Sequence, residues 1–335
     1  MANGTIAAGG GPVLDEAPIA AAAPENRGSA ALHRSIFIGL AALLAVAPFV
    51  LYPVFLMKVL CFALFASAFN LLLGFGGLMS FGHAAYFGMA SYVTAYVAKR
   101  WGLTPELAIV SGVVTATLLG VVFGALAIRR QGIYFAMITL ALAQMVFFFS
   151  VQAPFTGGED GIQAVPRGHL FGLINLADDK ALYYLVAVIF LFGLFVIYRI
   201  IHSPFGQVMK AIRDNEPRAI SLGYRVNQYK LLIFTLSTAI AGLAGATKAI
   251  VFQLASLTDV HWTMSGEVVL MTLVGGLGTV FGPMVGAAVI VAMQNYLATL
   301  GAWVLVVQGV IFVLCVLAFR EGIVGLFARL LKRPL

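Results

Sequence analysis

From about residue 35 to residue 319 the chain is a succession of apolar runs separated by short polar stretches. The runs cover 35–52, 55–73, 79–98, 105–128, 132–151, 181–199, 231–252, 265–279, 282–300 and 303–319. A helix needs about 20 residues to cross the hydrocarbon core of a bilayer, with a range of roughly 17–25. Most of the runs meet that length; 265–279 is short. Each must be helical, because an open strand edge would leave backbone groups unsatisfied in hydrocarbon. The pattern predicts an all-α, polytopic membrane protein with about ten transmembrane helices.

Composition agrees. Charged residues make up 10% of the chain, against about 25% in a soluble domain. Hydrophobic residues reach 61% and mean hydropathy is +1.01. A soluble fold of 335 residues would lack the charges to cover itself, a need that lipid removes. The 36 glycines and 26 phenylalanines fit helices that pack closely inside and face lipid outside. Residues 1–34 are rich in Ala, Gly and Pro and are expected to form a disordered cytoplasmic tail. The first apolar run comes too late and continues too long for a secretory signal. Residues 35–320 form the expected membrane domain, and 321–335 a basic tail.

Charge distribution sets the expected orientation. With the N-terminus inside and ten crossings, fourteen of the 20 basic residues fall on the cytoplasmic side, from Arg27 and Arg34 to Lys332 and Arg333. Lys58, Lys99, Arg100, Arg167 and Lys180 fall at the outer side, and Lys99 and Arg100 can snorkel there. Without a crossing by 265–279 the basic C-terminus would lie outside, so the rule favours ten crossings with both ends in. The net charge of +7 is spread between spans and forms no stripe for nucleic acid.

Little catalytic chemistry is on offer. Cys61 and Cys315 both sit in apolar runs without metal-ligand or disulfide spacing. The nearest approach to a phosphate-binding Gly-x4-Gly-Lys loop, Gly242 to Lys248, has Thr247 where the second Gly should stand. No zinc-protease or Ser-hydrolase motif occurs. An enzyme, a cofactor and a metal are not expected, and nucleotide energy would have to come from a partner.

Two apolar segments broken by glycine stand out: Gly74-Phe-Gly-Gly-Leu-Met-Ser80-Phe-Gly-His83 with Tyr86 following, and Gly275-Gly276-Leu-Gly-Thr-Val-Phe-Gly-Pro283. Unwound backbone within a membrane offers donors and acceptors to a solute, and paired breaks of this kind point to a transport path. Close helix packing through small residues is the competing explanation. Lys248 lies inside a span, where an ionisable group is costly unless paired, with Glu267 as a possible counter-charge. Thr139 and Gln144 are polar positions within the fifth span that can line a path or bond a neighbouring helix. The loop Thr156-Gly-Gly-Glu-Asp-Gly161 suits a tight turn, with a backbone nest as a further option.

Residues 203–230 form a long charged loop that the charge rule puts in the cytoplasm. Val208, Ile212, Ile220 and Leu222 can give apolar faces to two short helices, broken near Pro217. Asn215 suits an N-cap, Pro217 a first turn, and Gly223 a left-handed helix end. Such an element suggests a docking surface.

The segments 77–88, 132–141, 156–161, 203–223, 241–245 and 265–283 together resemble the permease subunits of branched-chain amino-acid ABC transporters, the LivM-like group. The resemblance implies an importer subunit in the bacterial inner membrane, for a branched-chain amino acid or a similar small polar solute. Its implied partners are a second homologous permease, two cytosolic ATP-binding subunits and a periplasmic solute-binding protein. It also implies that Ala211, Ile212, Arg213, Asn215, Glu216, Arg218, Leu222 and Gly223 belong to the element that engages the ATPase. Lys248 departs from the apolar or aromatic residue expected there, and Phe319-Arg-Glu-Gly322 from the usual ending. The substrate-path candidates are Ser80, His83, Tyr86, Thr139, Gln144, Lys248, Glu267, Gly275 and Gly276. The rival reading is an ion-coupled secondary transporter using Lys248 and Glu267. A channel is a weaker option, since no ring of charge is evident.

Overall fold

The computed structural model describes residues 27–172, 174–298, 301, 303–318 and 322–325. The tail expected at 1–34 therefore lies mostly outside the described residues, as does most of 321–335. The chain divides into two units, Met1–Gly39 and Leu40–Leu335. Described in the first is the start of helix α1 (Arg27–Val46), which begins ahead of the apolar run. The second unit carries the rest.

The ten apolar runs become ten helices: α1, α2 (Pro53–Asn70), α3 (His83–Arg100), α4 (Pro105–Ala127), α5 (Ile133–Gln152), α6 (Asp179–Ile201), α9 (Val226–Phe252), α10 (Trp262–Gly275), α11 (Gly282–Tyr296) and α12 (Trp303–Ala318). Between α6 and α9 lie the short α7 (Pro204–Asp214) and α8 (Glu216–Ser221). The chain is an all-α, polytopic membrane protein. Proline stands in the first turn of α2, α4, α7, α8 and α11, where its missing N–H costs nothing. Asp178 caps α6 by accepting from Lys180 N. Four two-residue strands pair in the loops: β1 (Ile162–Gln163) with β4 (Leu254–Ala255), and β2 (His169–Leu170) with β3 (Ile174–Asn175), both antiparallel. Gly157, Gly158 and Gly161 take positive φ, making 156–161 the tight turn expected of it.

Among the described residues five helices are long and apolar enough to cross a bilayer by themselves: α2 with its extension to Phe75, α4, α5, α6 and α9. Fewer runs reach full span length than the sequence suggested. α10 and α11, with 14 and 15 residues, rise only about 21 and 22 Å at 1.5 Å per residue. The glycine break between them ends α10 and delays the start of α11.

Loop contacts nevertheless sort the connections into two sets. In one, Arg213 reaches Gly74 O, Gln131 reaches Glu216, and Gly322 lies against Gly275–Gly276. In the other, Lys99 donates to Gln163 O, Arg167 to Val251 O and Asp179, and Phe171 N to Glu106. Apart from the short α7 and α8, successive helices from α2 onward run alternately between these sets. Segment 265–279 thus connects the two sides, and the C-terminal turn lies on the side of α7 and α8.

α2 and α9 are mostly buried, whereas α4, α5 and α6 present apolar side chains such as Leu118, Phe148 and Phe192 outward. Small residues bring the central helices together. A Cβ on Gly245 of α9 would strike the Phe87 carbonyl on α3, and one on Gly286 would strike Met271 O on α10. At Gly266 a Cβ would meet nothing within 4 Å. Gly245→Val and Gly286→Val should therefore abolish a monodisperse, thermally stable protein in detergent, a cost above the roughly 1–3 kcal/mol of ordinary overpacking. Gly266→Ala should melt with the parent. Size-exclusion chromatography with a thermal-shift assay reads all three.

Candidate functional site

Four of the expected path residues meet at the start of α3. The backbone there turns through 80–82 and enters the helix at His83, inside the bundle. Phe81 N donates to Thr139 Oγ1 of α5 at 3.2 Å, and Gly82 N to Ser80 Oγ at 3.2 Å. Ala84 N donates to Ser265 Oγ of α10 at 2.9 Å. His83 is fully buried, with its ring edge-on to Phe69, Tyr86 and Phe234. Its Nε2 lies 2.9 Å from Ser237 Oγ, whose own hydroxyl donates to Ala68 O at 2.6 Å. The serine proton is thus committed, so Nε2 carries the proton and Nδ1 presents a lone pair without a partner. The helix N-terminal donors are spent on these hydroxyls, and the imidazole acceptor is what the cluster leaves open within its apolar shell. Gln144 is half-buried further along α5.

The two glycine breaks meet each other elsewhere. After Asn70, α2 widens into a π-turn over Leu71–Phe75. Asn70 Nδ2 donates to Thr279 O at 2.8 Å, and Gly278 N donates to Asn70 Oδ1 at 3.0 Å. A Cβ on Gly74 would overlap Asn70 Oδ1 and lie 2.6 Å from Gly278 N, so the backbones touch. Gly276 and Gly278 take φ of +124° and +74°, open to glycine and strained for other residues. Gly275 approaches the Gly282 carbonyl so closely that it also serves packing. Gly74 O, an orphan carbonyl at the end of α2, accepts from Arg213 Nη1 at 2.6 Å. A cation at a helix C-terminus is favourable, and a charge-assisted bond of this kind contributes about 1.5–3 kcal/mol.

The 203–225 element has two faces. Ser203 caps α7 and Asn215 caps α8; Gly223 leaves α8 at φ +85°, as expected of it. Facing the bundle, Met209, Ile212 and Ala219 are buried and Phe205 stacks on Tyr229 at 5.7 Å. Glu216 pairs with the buried Lys230 at 2.8 Å and accepts from Gln131. Burial, and then the neighbouring Arg213, hold the Lys210 ammonium below its ordinary value, with Nζ 5.6 Å from the Phe75 ring centre. Facing away, Ala211, Arg218, Ile220, Leu222 and Tyr224 are exposed, Leu222 at 68%.

Lys248 is on the opposite side, and its counter-charge is not Glu267. Its Nζ lies 2.6 Å from Asp259 Oδ2, both side chains being nearly inaccessible. The same carboxylate accepts from Ser256 N and Oγ at 3.3 Å in a capping box. Glu267 accepts from Gln294 Nε2 at 3.0 Å instead. The loop after α9 folds back and delivers Asp259, whereas Glu267 sits in the second turn of the following helix. Asn70, Ser237, Ser265 and Asp259 escaped the sequence reading. A lone amide within an apolar run was the available signal for Asn70; hydroxyls in membrane helices give none.

A family model described as "Branched-chain amino acid transport system / permease component" matches residues 53–316. The high-affinity branched-chain amino acid transport system permease protein LivM of Escherichia coli (strain K12) is 26% identical over 286 residues, 78% of this chain and 67% of that protein. The ribose import permease protein RbsC of Bacillus subtilis (strain 168) is 27% identical over 236 residues, 66% of this chain and 70% of that one. The fructose import permease protein FrcC of Rhizobium meliloti is 23% identical over 247 residues, 69% and 67% of the two chains. No solved structure matches.

Breaking a buried ion pair from one side leaves an uncompensated charge, at a cost of about 3–5 kcal/mol. Lys248→Met should accordingly lower the detergent melting temperature sharply. Adding Asp259→Asn, which keeps an acceptor for Ser256, should recover most of the loss. A thermal double-mutant cycle measures the coupling, and additive losses would remove the pair as a structural unit.

Proposed function

The chain belongs to the family of branched-chain amino acid transport system permease components, and on that premise we propose that it is the membrane subunit of an ATP-driven importer for a branched-chain or similar amino acid. It works in the bacterial inner membrane with a second homologous permease, two cytosolic ATP-binding subunits and a periplasmic solute-binding protein. Both termini and the 203–225 element face the cytoplasm, and hydrolysis on the partner chains drives the change between outward- and inward-open states. One observation carries this reading. The amphipathic element buries Ile212 and Met209, bonds Arg213 to the end of α2, and leaves Ile220, Leu222 and Tyr224 uncovered on its outer face. A separate chain docking on that face would act directly on the membrane helices, and Arg218 gives it a charged rim.

We assign the amino acid's path to the polar cluster at the α3 N-terminus, where His83 Nδ1 is an acceptor without a partner among the described residues. Similarity to sugar permeases makes ribose the informative comparison substrate. The ion-coupled alternative drew on a Lys248–Glu267 pair, and Lys248 is neutralised by Asp259 instead.

The test is a complex reconstituted in vesicles with its ATPase and binding-protein partners, with uptake of radiolabelled leucine and ribose followed beside ATP hydrolysis. Leu222→Ser and Gly223→Val should leave the spans folded but reduce leucine uptake about tenfold or more, because the docking face is lost or misplaced. Glu216→Lys should also destabilise the chain, since it sets a second cation against buried Lys230. Wild-type coupling in both docking variants would overturn the assignment, as would uptake independent of ATP. Outside labelling of a cysteine placed at Gly223 would overturn the orientation.

A further inference from the structure

Asn70 stands within an apolar run and is only 2% exposed. Both ends of its side-chain amide are spent on one distant turn: Nδ2 on Thr279 O, and Oδ1 on Gly278 N. Four residues later the same helix gives its Gly74 carbonyl to Arg213 of α7. The Arg213 stem also lies against the other end of that break, since a Cβ on Gly77 would come within 2.7 Å of its Cγ. Continuous hydrogen bonding and backbone contact thus lead from α7, through the π-turn of α2, to the turn between α10 and α11. Gly322 closes on Gly275–Gly276 beside it.

We propose that Asn70 is a positioning residue of the transport cycle, clamping the second glycine break to the first so that motion of α7 reaches α10 and α11 as well as α2 and α3. The inference rests on the ATP-driven reading above and goes beyond it by naming the internal link. Its physical basis is the lack of a substitute partner. Gly278 and Thr279 are part-buried, but the Asn70 amide is 2% exposed, and parting it from the turn leaves its own donor and acceptor buried and unsatisfied. The two breaks therefore shift as a body. Without the amide, α7 still pulls on Gly74, but the α10–α11 turn does not follow.

The experiment uses the full complex in vesicles, with Asn70→Leu, which removes both bonds at similar volume, and Asn70→Asp, which keeps an acceptor for Gly278 N. Spin labels at Gln207→Cys on α7 and Leu277→Cys in the second break, with Cys61→Ala and Cys315→Ala, report the distance between the two parts. With Asn70 present the distance distribution should be narrow and equal in nucleotide-free and vanadate-trapped states. Asn70→Leu should broaden it and separate the two states. Uptake of radiolabelled leucine should fall about tenfold, the worth of one or two buried hydrogen bonds, while ATP hydrolysis stays within about twofold. Asn70→Asp should lie between. An unchanged distribution in Asn70→Leu overturns the clamp, as does a loss of uptake and hydrolysis in strict proportion to lost assembly. A parent complex whose uptake ignores ATP overturns the ATP-driven reading instead, and the distance distributions then still decide whether Asn70 joins the breaks.

Discussion

Backbone that leaves a helix inside hydrocarbon has no water to bond to, and each polar group it frees must find a protein partner. This chain breaks its helices twice within the bundle, at 76–82 and at 276–281. The first break is satisfied by Ser80, Thr139 and Ser265, with Arg213 on the carbonyl that ends α2. The second is satisfied by Asn70 and by Thr279 within its own turn. Positions of α5, α7 and α10 follow from these debts. The helices that carry the partners have to stand where the orphan groups are.

The same constraint explains how charge is handled. A desolvated Lys248 would be too costly alone, and the loop after α9 folds back to bring Asp259 against it. That pair closes the side of the bundle away from α7 and α8, through the loop that also packs on Gly88 of α3. Glu267 is held by the Gln294 amide and needs no cation at bonding distance. Charge in this membrane region is therefore consistent with architecture, while His83 Nδ1 is one of several buried side-chain atoms without a partner among the described residues.

The 203–225 element is built in two layers. Residues grouped together by family resemblance separate by direction: Ile212, Arg213 and Glu216 hold the element to the bundle, Asn215 caps α8 within it, and Ala211, Arg218 and Leu222 face outward. An outward contact transmits force only if the inward side is firmly bonded. Arg213 matters in this respect because its guanidinium bonds the end of a mostly buried helix.

Sequence alone determined what is local. Apolar run length located nine of the ten helices to within about five residues, α1 alone starting well ahead of its run, and the caps and breakers Asn215, Pro217 and Gly223 behave as their side chains dictate, since each acts on backbone within four residues. It also marked both glycine breaks and singled out Ser80, His83, Tyr86 and Thr139, which the structure brings together at the start of α3, because polar or small residues are conspicuous against hydrocarbon. What only the tertiary structure decided is pairing. Asn70 meets residues more than 200 positions away, Arg213 meets Gly74, and Lys248 takes Asp259 in preference to Glu267. Such partners are selected by how helices cross and where a loop folds back, and neither periodicity nor spacing along one chain carries that information. The backbone's need for partners could be foreseen from the sequence; their identity followed from packing.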